Sequence, residues 1–189
     1  MQRIVSPLIL ASQSPRRKEL LALAGFDFTV RVRPVAEIRG SAEDPVRYVR
    51  RLAREKADAA WEHDGEIVLG ADTTVVLDQH VLEKPEDAGH ARAMLRLLSG
   101  REHTVITGIC LRHAGGTVVD HSSTSVLFSE LTNEEIEAYV ASGEPMDKAG
   151  GYAIQGLASK FVERIQGCYF NVMGLPVSLV YRHWKGIFR

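Results

Sequence analysis

Two cysteines in 189 residues, Cys110 and Cys168, make neither a disulfide framework nor a CxxC motif, and two free thiols suit a reducing cytosol. Long hydrophobic runs are missing too. None approaches the ~18 apolar residues of a membrane span. The apolar run near the amino terminus is shorter than a signal peptide needs and has no small-residue cleavage pattern behind it. The expected setting is therefore cytoplasmic, with no membrane partner. Neither sign of charge prevails, since 23 Lys and Arg face 24 Asp and Glu. That balance, with no basic stripe interleaved with aromatics, argues against nucleic acid as a partner. There is no GxxxxGK[ST] loop, no GxGxxG after a strand, no HExxH and no GxSxG, and the seven histidines lack metal-ligand spacing.

What is present describes a globular chain with 45% apolar and 25% charged residues, of a length suited to one good-sized core. No repeat, low-complexity tract or linker interrupts it, so residues 1–189 are expected to form a single domain. Residues 7–11 (PLILA) read as a buried strand, and Ser14-Pro15 as the cap and first residue of a helix ending at Gly25. DFTVRV (27–32) alternates as a strand. Asp44-Pro45 opens a second helix through residue 63, with Val46, Val49, Leu52, Ala53 and Ala57 at helical spacing. EIVLGADTTVVLD (66–78) is the most apolar strand candidate; the turn DQH leads from it to VLEKP, and a third helix follows over 86–99. Residues 103–113 and 117–128 flank the turn AGG as a hairpin, TNEE at 132–135 is a capping box, and Pro176 opens a last helix. Residues 143–175 are glycine-rich and irregular. Such a long stretch is more often functional than structural. Mixed strands and helices predict an α/β or α+β fold with one sheet running through the molecule.

The stretch LILASQSPRRKELL (8–21) places two arginines in the first turn of a helix, where the dipole disfavours cations. The placement makes sense if an anion docks there, since orphan N–H groups, hydroxyls and guanidinium forks then converge. Ser12, Ser14, Arg16 and Arg17 are the candidates. Neighbours on a helix point about 100° apart, so one arginine is expected to reach the ligand while the other orients it or reaches a different group. A capped helix with solvated arginines explains the same residues.

In VLGADTT an apolar run ends in Asp72, an acid seldom buried without a partner. Near a phosphate site it could hold a magnesium ion or activate water; alternatively it is an acid at a strand-end turn. Glu37, in the loop after the second strand, is a possible further metal-side carboxylate or an ordinary loop glutamate. Lys84 in EKP offers a compact charge to a phosphate, or is a surface lysine. Lys56 in REKA reads as a solvated helix lysine. In GEPMDKAGGYAIQG (143–156) glycines permit close backbone approach, and Asp147, Lys148 and Gln155 stand out as polar. A glutamine amide carries one acceptor and two donors, which can pair with the imide edge of uracil or thymine. A loop held by its own hydrogen bonds is the other reading.

Taken in order, LILASQSPRRKELL, RLAREKA, VLGADTTVVLD, VLEKPEDA, LSGREHTVITGI and the long run from EPMDKAGGYAIQG to GLPV resemble the Maf family of nucleoside triphosphate pyrophosphatases over residues 8 to 178. The resemblance implies an α/β fold with a long twisted mixed sheet and flanking helices, two lobes around a central cleft, as in the ITPase-like proteins. It is closest to the branch acting on dTTP and UTP, whose arginine, threonine and glutamine specificity positions match Arg17, Thr73 and Gln155. The 7-methyl-GTP branch has Trp, Gln and Glu there. The resemblance also implies Asp72 as proton acceptor, a divalent metal (Mg or Mn), a cytoplasmic location and a homodimer. The acidic pair often found ahead of the second helix is here Ala36-Glu37, which leaves Glu37 alone.

The expected activity is metal-assisted hydrolysis of dTTP, UTP or modified pyrimidine triphosphates to monophosphate and diphosphate. Asp72 and Lys84 are the expected catalytic residues. Ser12, Ser14, Arg16, Arg17, Thr73 and Gln155 are expected to bind substrate, and Asp72 and Glu37 the metal. Two alternatives use the same residues: a nucleotide sensor linked to septum formation, and a pyrophosphatase of another base preference.

Overall fold

The computed structural model describes residues 8–188. Its seven-stranded mixed sheet has the order β2-β1-β3-β5-β6-β7, with β4 paired to β3 off this path. The strands are β1 (Leu8–Leu10), β2 (Phe28–Val30), β3 (Ile67–Leu77), β4 (His80–Leu82), β5 (Glu102–His113), β6 (Gly116–Phe128) and β7 (Val162–Gln166). The helices are α1 (Pro15–Leu23), α2 (Pro45–Ala60), α3 (Ala88–Leu98), α4 (Asn133–Ala141), α5 (Tyr169–Val172) and α6 (Val177–Ile187). β1 runs parallel to both β2 and β3, whereas β4 on β3 and β7 on β6 are antiparallel. Pro7, part of the first expected strand, lies outside the described residues.

The chain folds into two compact units. One gathers the chain up to Asp72, Thr107–Ser122 and the chain from Gly174; the other is Thr73–Ile106 with Ser123–Met173. In the first unit α2 lies directly on the sheet. A Cβ on Gly70 would fall 2.0 Å from the Ala53 carbonyl oxygen, and one on Gly108 2.4 Å from that of Val49. Only glycine allows so close an approach. The small side chains Ala53, Ala57 and Ala60 then fill the contact with Ile9, Ala11, Val68 and Cys110. Asp44 caps α2 by accepting from the Arg47 N–H at 3.0 Å. The helix stops at Ala60, three residues earlier than its periodicity suggests, where Arg31 donates to the Ala60 carbonyl and forks onto the buried Glu66 at 2.7 and 2.8 Å.

In the second unit aromatic rings carry the core: Phe128 packs against Tyr152 and Phe161, and Tyr139 meets Phe161 edge-on at 5.5 Å. The Thr132–Glu135 capping box forms as expected and starts α4. The stretch 143–175 is less irregular than its composition suggests, because three short 3-10 turns lead into β7 and α5. β7 is a five-residue polar edge strand, so it gives no apolar alternation to read. α5 is pinned from inside by Asn171, which donates to the Val105 carbonyl at 2.9 Å and to Thr124 Oγ1 at 3.0 Å.

Candidate active site

The two arginines that open α1 part company. Arg17 turns inward, because residues 17, 20, 21 and 24 share one face of the helix and Leu20 and Leu21 on that face are buried. Its Nε donates to the Gly174 carbonyl at 2.8 Å, and its NH1 to the Ala71 carbonyl at 2.9 Å and to Ser12 Oγ at 3.0 Å. The guanidinium thus ties the helix start to the middle of β3. Burial pulls its pKa below the ordinary arginine value, against the charge of Asp72. Arg16, about 100° around the helix, is partly exposed. Ser14 occupies the cap position without a side-chain cap bond; instead Ser12 Oγ accepts from the Ser14 N–H at 3.3 Å. The expected capping role therefore falls away.

Asp72 is not at a strand end, as its sequence context suggested, but in the interior of the eleven-residue β3. It is 8% exposed. Burial raises its carboxyl above the usual aspartate value, and the cations of Lys56 and Arg17 draw it back down. A carboxylate so placed is closer to working as a base at neutral pH than an ordinary aspartate is.

Lys56 corrects the reading as a solvated helix lysine. Its side chain is 14% exposed, and its ammonium lies 2.7 Å from Asp72 Oδ1 and 2.7 Å from Glu37 Oε1. The signal was in the spacing: position 56 interrupts the apolar stripe 49, 52, 53, 57, 60 on the buried face of α2. Glu37 itself is exposed, but its loop is held. Arg51 on α2 donates to both Glu43 oxygens at 2.8 Å and to the Ile38 carbonyl at 3.0 Å. That fork holds the Glu43 carboxyl down at about 2.

Two carboxylates that converge on one cation supply hard oxygen donors, which fit a magnesium or manganese ion completed by water and phosphate oxygens. Among the described residues no group of three or more His, Cys, Asp or Glu adds to them.

Thr73, Lys84 and Gln155 belong to the other unit. Thr73 is partly exposed on β3, while Lys84 and Gln155 are exposed. The Lys84 segment is joined to the glycine-rich loop, as the Gly150 N–H donates to the Glu83 carbonyl at 3.0 Å. Gly150 is left-handed at φ 70°, and a Cβ there would meet Val75 at 2.8 Å. Lys148 and Asp147 bond to each other, and the Lys148 ammonium also donates to the Glu144 carbonyl at 2.6 Å.

The profile of the Maf family, described as Maf-like protein, matches residues 7–187. The chain belongs to the Maf family. Among its Maf relatives, a protein of Koribacter versatilis named dTTP/UTP pyrophosphatase is 51% identical over 176 residues, 93% of this chain and 91% of the relative. A protein of the same name from Bacillus cytotoxicus is 51% identical over 178 residues, 94% of this chain and 93% of that one. The solved structure of the Staphylococcus aureus Ham1 protein resembles this Maf chain with a TM-score of 0.55 at 13% identity, covering 95% of this chain and 98% of the other. That likeness is one of fold. No helix among the described residues is long and apolar enough to cross a membrane.

Proposed function

We propose that this Maf chain is a nucleoside triphosphate pyrophosphatase that hydrolyses dTTP and UTP to the monophosphate and diphosphate. The observation that carries the reading is the buried Asp72 held by Lys56 and coupled to Arg17. The curated relatives' shared name supports the substrate pair. Asp72 accepts a proton from the attacking water. The oxygen of that water forms a bond to the α phosphorus, the bond from that phosphorus to the αβ-bridging oxygen breaks, and diphosphate leaves. Arg16, Ser12, Ser14 and Lys84 hold phosphate oxygens, and Arg17 keeps the 12–17 segment in place. Lys56 holds Asp72 and Glu37 towards one point. A magnesium or manganese ion held by Asp72 and Glu37 would neutralise charge on the triphosphate. Thr73 and Gln155 read the base.

The test is product identification from dTTP and UTP with Mg²⁺. Diphosphate is expected; orthophosphate, or binding without release, overturns the reading. D72N is expected to keep nucleotide affinity and lose turnover by at least about 100-fold, the scale of one positioned proton acceptor. Near-normal turnover would remove Asp72 from the chemistry. The reading also carries a homodimer in the cytoplasm, checked by sedimentation of the pure protein and by fractionation of cells.

A further inference from the structure

Gln155 is an exposed side chain on a turn, a poor platform for reading a base unless its backbone is fixed. The turn Ala153–Gly156 is closed by the Gly156 N–H donating to the Ala153 carbonyl at 3.0 Å. The N–H groups on either side of Gln155 converge on two side chains. The Ala153 N–H donates to the Tyr139 hydroxyl at 3.3 Å, which itself donates to Glu144 Oε1 at 2.9 Å. The Leu157 N–H donates to the other oxygen, Glu144 Oε2, at 3.0 Å. We infer that Glu144 and Tyr139 are positioning residues for base selection, a single clamp that sets where the Gln155 amide points; this rests on Gln155 reading the base.

The clamp is itself braced. Tyr139 is buried and seated edge-on against Phe161. The Glu144 backbone is held by Lys148 Nζ on its carbonyl and by its own N–H donating to Ser142 Oγ at 3.2 Å. The carboxylate lies flat against Gly156, where a Cβ would fall 2.5 Å from both of its oxygens. Gly156 is not left-handed (φ −102°), so the close approach of Glu144 is what requires glycine there. None of these groups touches phosphate chemistry, so their loss should act on the base. A site that hydrogen-bonds its substrate loses discrimination when its partner drifts by about 1 Å.

Two readouts separate this assignment from the activity on which it rests. In the nucleotide-free protein, Y139F keeps the ring packing and removes the hydroxyl. Amide hydrogen exchange at Ala153 is expected to quicken about tenfold, and E144A should do the same at Leu157. In turnover, E144A is expected to raise KM for dTTP and UTP about tenfold with kcat within twofold, leaving KM for ATP unchanged. E144Q, which keeps an acceptor for Leu157, should recover most of the difference. Unchanged exchange in Y139F and E144A overturns the clamp. Faster exchange with equal KM changes for dTTP and ATP overturns its role in selection. Should the unmodified enzyme fail to prefer dTTP over ATP, the reading of Gln155 falls and takes the selection role with it. If E144A does not fold, Y139F carries the same comparison of exchange and of KM for dTTP and ATP.

Discussion

In the unit that carries Asp72, the buried polar groups include three charged ones beside the neutral Ser12 and Thr107: Asp72 meets Lys56, Glu66 meets the fork of Arg31, and Arg17 meets carbonyls and a hydroxyl. In the unit that carries Gln155 they are neutral. His103 meets the Tyr152 hydroxyl at 2.8 Å, and Asn171 bonds to Thr124 and a carbonyl. Burying an ion is costly unless it is paired, so Asp72 and Glu66 each keep a cation at 2.7 Å. Neutral donors and acceptors suit recognition of an uncharged base, because they discriminate by pattern and not by field strength.

Four experiments would break or sharpen that contrast. The largest effect is expected where backbone meets backbone. G70A puts a Cβ 2.0 Å from the Ala53 carbonyl, which cannot yield without moving α2, so a loss of about 3 kcal/mol or more is expected in urea unfolding. G156A in the other unit meets only a side-chain carboxylate and should cost about 1 kcal/mol. Matching midpoints for the two variants would erase the distinction.

Acid should find the neutral unit first through His103. Burial depresses this ring from 6.5 to about 4, so the unfolded chain takes up a proton before the folded one does. The associated stability is complete above pH 6.5 and lost as pH falls towards 4, by up to about 3 kcal/mol. H103Q should flatten that part of the profile; an unchanged slope would place the acid sensitivity elsewhere.

R17K comes next. One ammonium cannot reach the carbonyls of Ala71 and Gly174 together with Ser12, and leaving such acceptors unmet should cost about 2 kcal/mol at any pH from 5 to 8. A urea midpoint equal to that of the unmodified protein would show the fork to be dispensable. K56M gives the smallest shift. Burial raises Asp72 and Lys56 draws it down, so removing the lysine raises it further. The acid limb of kcat/KM for dTTP should move to higher pH. A limb that stays or moves down would mean that Asp72 is not the titrating base.

Much of this was legible because period and punctuation are local. Asp44-Pro45, the Thr132–Glu135 box and the strand around Asp72 were read within a few residues of their observed bounds. β7 was not, since a short polar edge strand carries no apolar alternation. Lys56 was missed for a different reason. Its own residue type argues for solvent, and only its register on α2 argues for the interior.

Motifs in their order along the chain were enough to show the resemblance to the Maf family, and caps, turns and apolar periods, which act over a few positions, pointed to the mixed α/β class and the candidate residues. Which of Arg16 and Arg17 turns inward, that Lys56 joins Glu37 to Asp72, and that Tyr139 and Glu144 grip the turn beneath Gln155 were decided only by tertiary structure. Each depends on groups between 5 and 157 positions apart along the chain, which no local pattern relates.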